Sequence, residues 1–282
     1  MKRDSVPHTL LVATLLCVVC SVFVAGAAVG LRPRQLANKQ LDQKKNVLIV
    51  AGILDTDGIV QQGQLKGKAA KSSTINQLFE QRIQKRLIDL KTGEQVNPKI
   101  IDGETYDPRA AARNSEWSIF IEPSEDLAKI KRREKFAFVY EILDPEGNLE
   151  QIVLPVYGKG LWSTLYGLLA LSTDGRTVLG ITFYEHGETP GLGAEIENPT
   201  WRALWSGKQL FDENGVIELE VVKGKPSPDD PKIKYAVDGI SGATITSEGV
   251  SNLIRYWLGP DAFGPYVQKL HRQWLGEGAN DG

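Results

Sequence analysis

KFAFVYEILDPEGNLEQIVLPVYG, residues 135–158, decides the fold. Two runs rich in Phe, Val, Tyr, Ile and Leu flank Pro145-Glu146-Gly147-Asn148, a tetrapeptide that favours a turn. The stretch predicts a β-hairpin. A second pair follows: LYGLLALS (165–172) and TVLGITFYEH (177–186) lie either side of Thr173-Asp174-Gly175. Consecutive hairpins imply antiparallel pairing, so the expected class is α+β, a mostly antiparallel sheet with flanking helices behind one N-terminal apolar segment.

Helical spacing dominates on both sides. In KSSTINQLFEQRIQKRLIDLKTGE (71–94), Ile75, Leu78, Phe79, Ile83, Leu87 and Leu90 predict one amphipathic helix, with Thr74 and Gln77 as a capping box and Gly93 as its stop. Downstream, Asn198 and Pro199 open a short helix through Trp201, Leu204 and Trp205, ending near Gly207. After the polar loop at 223–232, Val250, Leu253, Ile254, Trp257 and Leu258 mark another helix, stopped by Gly259-Pro260.

Residues 9–31 carry no charged side chain over 23 positions, enough for a helix to cross the roughly 30 Å core of a bilayer. A cleaved signal peptide competes with this anchor, because Lys2 and Arg3 precede the run and Ala25-Gly26-Ala27 has the form of a cleavage site. The basic residues after the segment (Arg32, Arg34, Lys39, Lys44, Lys45) favour a cytoplasmic domain on positive-inside counting, although long domains translocate regardless of flanking charge. Cys17 and Cys20 lie within the run on one helix face, as a thiol pair or as small apolar residues against lipid. The chain has a net charge of −2, and without Lys2, Arg3 and Asp4 it keeps 31 basic and 34 acidic residues, a balance that argues against nucleic acid. His8, His186 and His271 are too widely spaced for a local metal motif.

Two stretches are more specific than loops need to be. DGISGATITSEGV (238–250) sets Thr246 and Ser247 at a helix N-terminus, where free N–H groups and the helix dipole favour a phosphate. Read alone, such a turn is most often an ordinary helix cap. EHGETPGLGAEIENPTW (185–201) joins Gly187, Gly191, Gly193 and Pro190 to the polar groups of Glu188 and Thr189, either as a ligand loop or as a long hairpin exit. The dinucleotide fingerprint fails at Ile196, the phosphate-loop pattern fails at Gln209, and Ser241 lacks the glycine that a nucleophile elbow needs at Ala243.

Together with GKGLWSTLYGLLALSTDG (158–175) and the single apolar segment, these motifs resemble the C subunit of the bacterial sodium-translocating NADH:quinone oxidoreductase, closely over about residues 155–258. The resemblance implies a domain carrying FMN esterified through its phosphate to Thr246 and attached by a separate flavin transferase; a threonine hydroxyl is a poor nucleophile unaided, so that enzyme is expected to bring its own metal and base. It further implies that Asp238, Ser241, Gly242, Ala243 and Thr244 shape the phosphate and ribityl site. Thr189 and Leu192 would meet the flavin ring, Gly191 and Gly193 count among the same cofactor-binding residues, and Trp162 and Ser163 would complete the pocket. Core packing is the plain alternative for Trp162.

A fixed one-electron relay is the expected function, with NADH and quinone handled by other membrane subunits. On this resemblance the chain is a single-pass protein of the bacterial inner membrane with its domain on the periplasmic side, against the charge count. The expected division is an anchor at 1–35, helix and loops at 36–134 and the FMN-binding domain at 135–282. A related flavin subunit of the ion-pumping ferredoxin:NAD oxidoreductase, and an anchored binding or assembly module without flavin, are the rival readings.

Overall fold

The computed structural model describes residues 5–103 and 105–276. The chain divides between Lys44 and Lys45 into two compact units. Most of helix α1 (Val6–Val50) belongs to the first. Among the described residues it is the one helix long and apolar enough to cross a membrane, and its Leu10, Leu15, Val22 and Phe23 are exposed.

The second unit continues with α2 (Ser72–Arg82), β1 (Ile83–Asp89), α3 (Pro108–Arg113), β2 (Ser118–Phe120) and β3 (Arg132–Glu134). The two hairpins follow as β4 (Phe136–Leu143), β5 (Leu149–Lys159), β6 (Thr164–Ser172) and β7 (Val178–Glu185). Then come α4 (Pro199–Ala203), β8 (Glu220–Val221), β9 (Ala236–Val237), α5 (Thr244–Trp257) and α6 (Gly264–Trp274).

Both expected hairpins form, and β5 also pairs with β6, so the four strands run as a meander. With β1 on the edge the sheet order is β1-β4-β5-β6-β7, antiparallel throughout. One rung crosses all five strands: Lys85 faces Tyr140, Tyr140 faces Val153, Val153 faces Ala170, and Ala170 faces Gly180.

Two expectations at the front of this unit are corrected. The helix over 71–94 ends at Arg82, and Ile83–Asp89 is strand. Ile83 and Leu87 are four apart, a spacing that also places two residues on one face of a strand. The open edge of β4 then decides, with Ile83 opposite Ile142 and Leu87 opposite Phe138. The capping box fails as well, because the helix starts at Ser72 and Thr74 already lies inside it. Gly93 stops no helix; at φ +70° it turns the chain after β1, where a Cβ would lie 2.6 Å from the Tyr266 nitrogen.

Downstream, the Asn198 side chain accepts a hydrogen bond from the Thr200 N–H, with Pro199 at the first helical position. The core lies between the sheet and α5. Ile152, Leu154 and Val156 of β5, and Leu165, Leu169 and Leu171 of β6, pack in one cluster with Val250, Leu253, Ile254 and Trp257. Each such Leu or Ile contributes about 1.5–3 kcal/mol by leaving water. Helix α6, which the sequence reading passed over after Pro260, adds Val267 and Leu270 to the cluster.

Candidate functional site

Three loops meet at one end of the sheet. The first is the β5–β6 turn, Gly160–Ser163, closed by the Gly160 N–H on the Ser163 carbonyl at 2.8 Å. The second leaves β7 at His186 and runs to Gly193, pinned where the Gly187 N–H donates to Ser163 Oγ at 2.6 Å. The third runs from β9 through Asp238 into α5. It is anchored by Trp201, whose indole N–H donates to the Asp238 carbonyl at 2.8 Å.

Missing Cβ atoms allow this convergence. A Cβ on Gly249 would lie 2.5 Å from the Lys159 carbonyl, so glycine brings α5 down onto the end of β5. A Cβ on Gly160 would lie 2.7 Å from Glu188 Oε1. On Gly193 it would lie 2.6 Å from Glu188 Oε2 and 2.7 Å from Thr246 Oγ1.

Thr246 is the centre of this arrangement. It is in the first turn of α5, fully buried, and its hydroxyl donates to Glu188 Oε2 at 2.5 Å. Glu188 also receives the Trp162 N–H on Oε1 at 3.0 Å and the Leu161 N–H on Oε2 at 3.4 Å. Burial pushes its carboxyl upward, but the bonds from Thr246 and from the Trp162, Leu161 and Ser163 backbone outweigh it and hold the group below its usual range.

The cap reading of Thr246 and Ser247 fails. The N-cap of α5 is Ala243, which offers no side-chain bond, and Ser247 Oγ instead accepts the Ile240 N–H at 3.2 Å. The first N–H groups of α5 therefore have no side-chain cap, and none has an acceptor within the helix.

Of the residues singled out from sequence, the structure brings together Thr246, Gly193, Trp162, Ser163, Leu192 and Gly242. Gly242 has φ +72°, and a Cβ there would meet Leu192 Cδ2 at 2.9 Å. Asp238 contributes its backbone carbonyl, and Ala243 is buried. Thr189, Gly191, Ser241 and Thr244 are exposed. Trp162 is 65% exposed, which rules out core packing; Leu161 and Leu192 of the first two loops and Ile245 in the first turn of α5 are exposed as well. Sequence reading passed over Glu188 as a Thr246 partner, and with it Gly160 and Gly249. A glutamate in a glycine-rich loop has no periodic signal, and close approach is visible only once the loops are in place.

Residues 160–259 match the family described as the FMN-binding domain. The chain is 44% identical over 277 residues to the C subunit of the Na(+)-translocating NADH-quinone reductase of Yersinia pestis, covering 98% of this chain and 97% of that one. It is 44% identical over 271 residues to the same-named protein of Pseudomonas aeruginosa, with 96% and 98% covered. The crystal structure of Shewanella oneidensis NqrC matches at a TM-score of 0.71 and 35% identity, over 83% of this chain and 98% of that one. A crystal structure of the same reductase component from Parabacteroides distasonis matches at a TM-score of 0.61 and 26% identity, over 84% and 96%.

Proposed function

This chain belongs to the C-subunit family of the Na(+)-translocating NADH-quinone reductases, and from that premise we propose that it holds FMN by a phosphoester to the Thr246 hydroxyl and relays electrons within the reductase complex. The observation that carries this reading is the Thr246 hydroxyl, fully buried in the first turn of a 14-residue helix, with Leu161, Trp162, Leu192 and Ile245 exposed on the segments that meet there.

The residues fit the group. A phosphodiester on Thr246 would lie beside the N–H groups of the first turn of α5, which favour an anion. Gly242 and Gly193 leave room for backbone to approach it. Trp162, Leu161, Leu192 and Ile245 offer the apolar surface that a flat aromatic ring takes. The remaining residues singled out, Asp238, Ser241, Ala243, Thr244, Thr189, Gly191 and Ser163, set the loop shapes around that space. When bound, the flavin supplies the electron transfer, and the protein supplies its position and surroundings.

Attachment is left to a flavin transferase, since an unaided threonine hydroxyl is a poor nucleophile. Helix α1 is the single membrane pass, with the second unit on the periplasmic face of the inner membrane. The FMN-binding domain is read over 135–282, and residues 36–134 lend it the edge strand β1.

The test is the intact mass of the chain co-expressed with a flavin transferase, beside Thr246→Ala. The expected gain is one FMN less one water, absent in the variant. No gain in the wild type, with the transferase active on a control substrate, would leave an anchored module without flavin.

A further inference from the structure

We infer that Glu188 is the proton acceptor for flavin attachment: its Oε2 takes the hydroxyl proton of Thr246 as Oγ1 attacks phosphorus. This rests on the attachment reading above, and it moves the base, which the sequence reading assigned to the transferase, into this chain. The donor class is a flavin nucleotide whose phosphate is activated as an anhydride. The Thr246 Oγ1–P bond forms, the bond from the flavin phosphorus to the bridging oxygen breaks, and the departing nucleoside monophosphate keeps the electron pair. The proton moves to Glu188, and nothing is oxidised or reduced.

The geometry carries this in three ways. The Thr246 hydroxyl already points its proton at Glu188 Oε2, at 2.5 Å, within the reach a base requires. A buried threonine hydroxyl needs only a neutral acceptor such as a main-chain carbonyl, whereas burying an ionised carboxylate has a large desolvation cost. The structure carries that cost at the nucleophile and offsets it with backbone N–H groups from Leu161 and Trp162. Those donors also locate the base. Glu188 is fastened to the β5–β6 turn, as is its neighbour Gly187 through Ser163 Oγ. Gly193 lies against both reacting groups, so the donor reaches the buried hydroxyl only if the loop moves at Gly193 while the carboxylate stays on the turn. Gly193 lets the loop close, since a Cβ there would collide with both reacting groups.

Glu188 handles one proton of the attacking hydroxyl, and the effect expected is at the low end of general-base catalysis, about 100-fold. The experiment follows intact mass against time for the full chain in detergent, with purified transferase and saturating flavin adenine dinucleotide. Glu188→Gln should acquire the flavin about 100-fold more slowly than wild type, with the same final mass. Glu188→Ala should be as slow, and added formate should accelerate it by occupying the vacated carboxylate position. That rescue would still read the step if the Gln variant melted early.

Attachment to Glu188→Gln within twofold of wild type, or a slow Glu188→Ala indifferent to formate, would overturn the inference. Thr246→Ala separates the two readings. If it stays unlabelled while Glu188→Gln labels normally, only the base is wrong. If it gains the flavin mass, the attachment residue is wrong.

Discussion

Glu134 and Glu188 are buried to nearly the same degree, 4% and 5% exposed, yet their carboxyls shift in opposite directions. Glu134 ends β3, enclosed on all sides; burial dominates, and its pKa is pushed up to about 7. The Tyr157 hydroxyl donates to it at 2.6 Å and Arg133 lowers it further, but these do not offset the desolvation, to which Asp107 adds. Glu188 has two or more backbone N–H donors and the Thr246 hydroxyl, and it lies just under an exposed rim. Two things separate the groups: the Glu134 carboxyl is enclosed more completely, and more donors are aimed at the Glu188 oxygens. A glutamate carboxyl is held towards its protonated form at the end of β3 and towards its ionised form in the loop after β7.

The largest expected effect breaks the comparison at Glu134. Its folded pKa of about 7 lies above the ordinary 4.5, so between those values the folded chain holds a proton that the unfolded chain has lost. Stability from this group is therefore complete below about pH 4.5 and declines as pH rises towards 7, by roughly 3 kcal/mol. Glu134→Gln should remove that decline. Melting temperatures of wild type and variant from pH 5 to pH 8 read it directly: the gap should move in favour of the variant as pH rises. A constant gap would mean that Glu134 is ionised throughout.

Gly193→Ala tests the other member. The added methyl would press on Glu188 Oε2 and Thr246 Oγ1 together and force the pair apart, removing one donor from the carboxylate. Overpacking of this kind costs about 1–3 kcal/mol. A urea midpoint lowered at unchanged slope, together with slowed flavin attachment, is the expected result. Unchanged values in both would mean that the loop has slack at Gly193 and that the Glu188–Thr246 contact is not constrained by it.

Much of this fold was legible because its signals are local. The β4–β5 and β6–β7 hairpins each carry their own turn residues, and α5 shows its apolar face at helical spacing. Strand β1 was not legible, because Ile83 and Leu87 satisfy helix and strand alike and the deciding partner, β4, lies about fifty residues away in sequence. At the site, Thr246 could be read from its small-residue motif before a helix. Glu188 could not, since its role exists only when Gly160, Gly193 and Gly249 let three loops close to hydrogen-bonding distance. Sequence therefore singled out the Thr246 hydroxyl and left the carboxylate it donates to for the tertiary structure to show.

The smallest expected effect on stability comes from Trp162, and there the comparison is sharpest. Tryptophan at 65% exposure buries little, and its removal should change stability by no more than about 0.5 kcal/mol. Its backbone N–H still donates to Glu188 after substitution by alanine, so the anion beneath is retained. The side chain, together with exposed Leu161, Leu192 and Ile245, has no evident work in the isolated chain; soluble surfaces seldom gather large apolar groups without a ligand or partner to cover them. Trp162→Ala should therefore leave the melting temperature and the final flavin mass as in wild type. The absorption maximum and fluorescence yield of the attached flavin should change, because an indole against the ring alters its polarity and quenching. A variant spectrum identical to wild type would move Trp162 from the flavin to the surface that meets a neighbouring protein of the complex, and assembly of that complex would then be the property to measure.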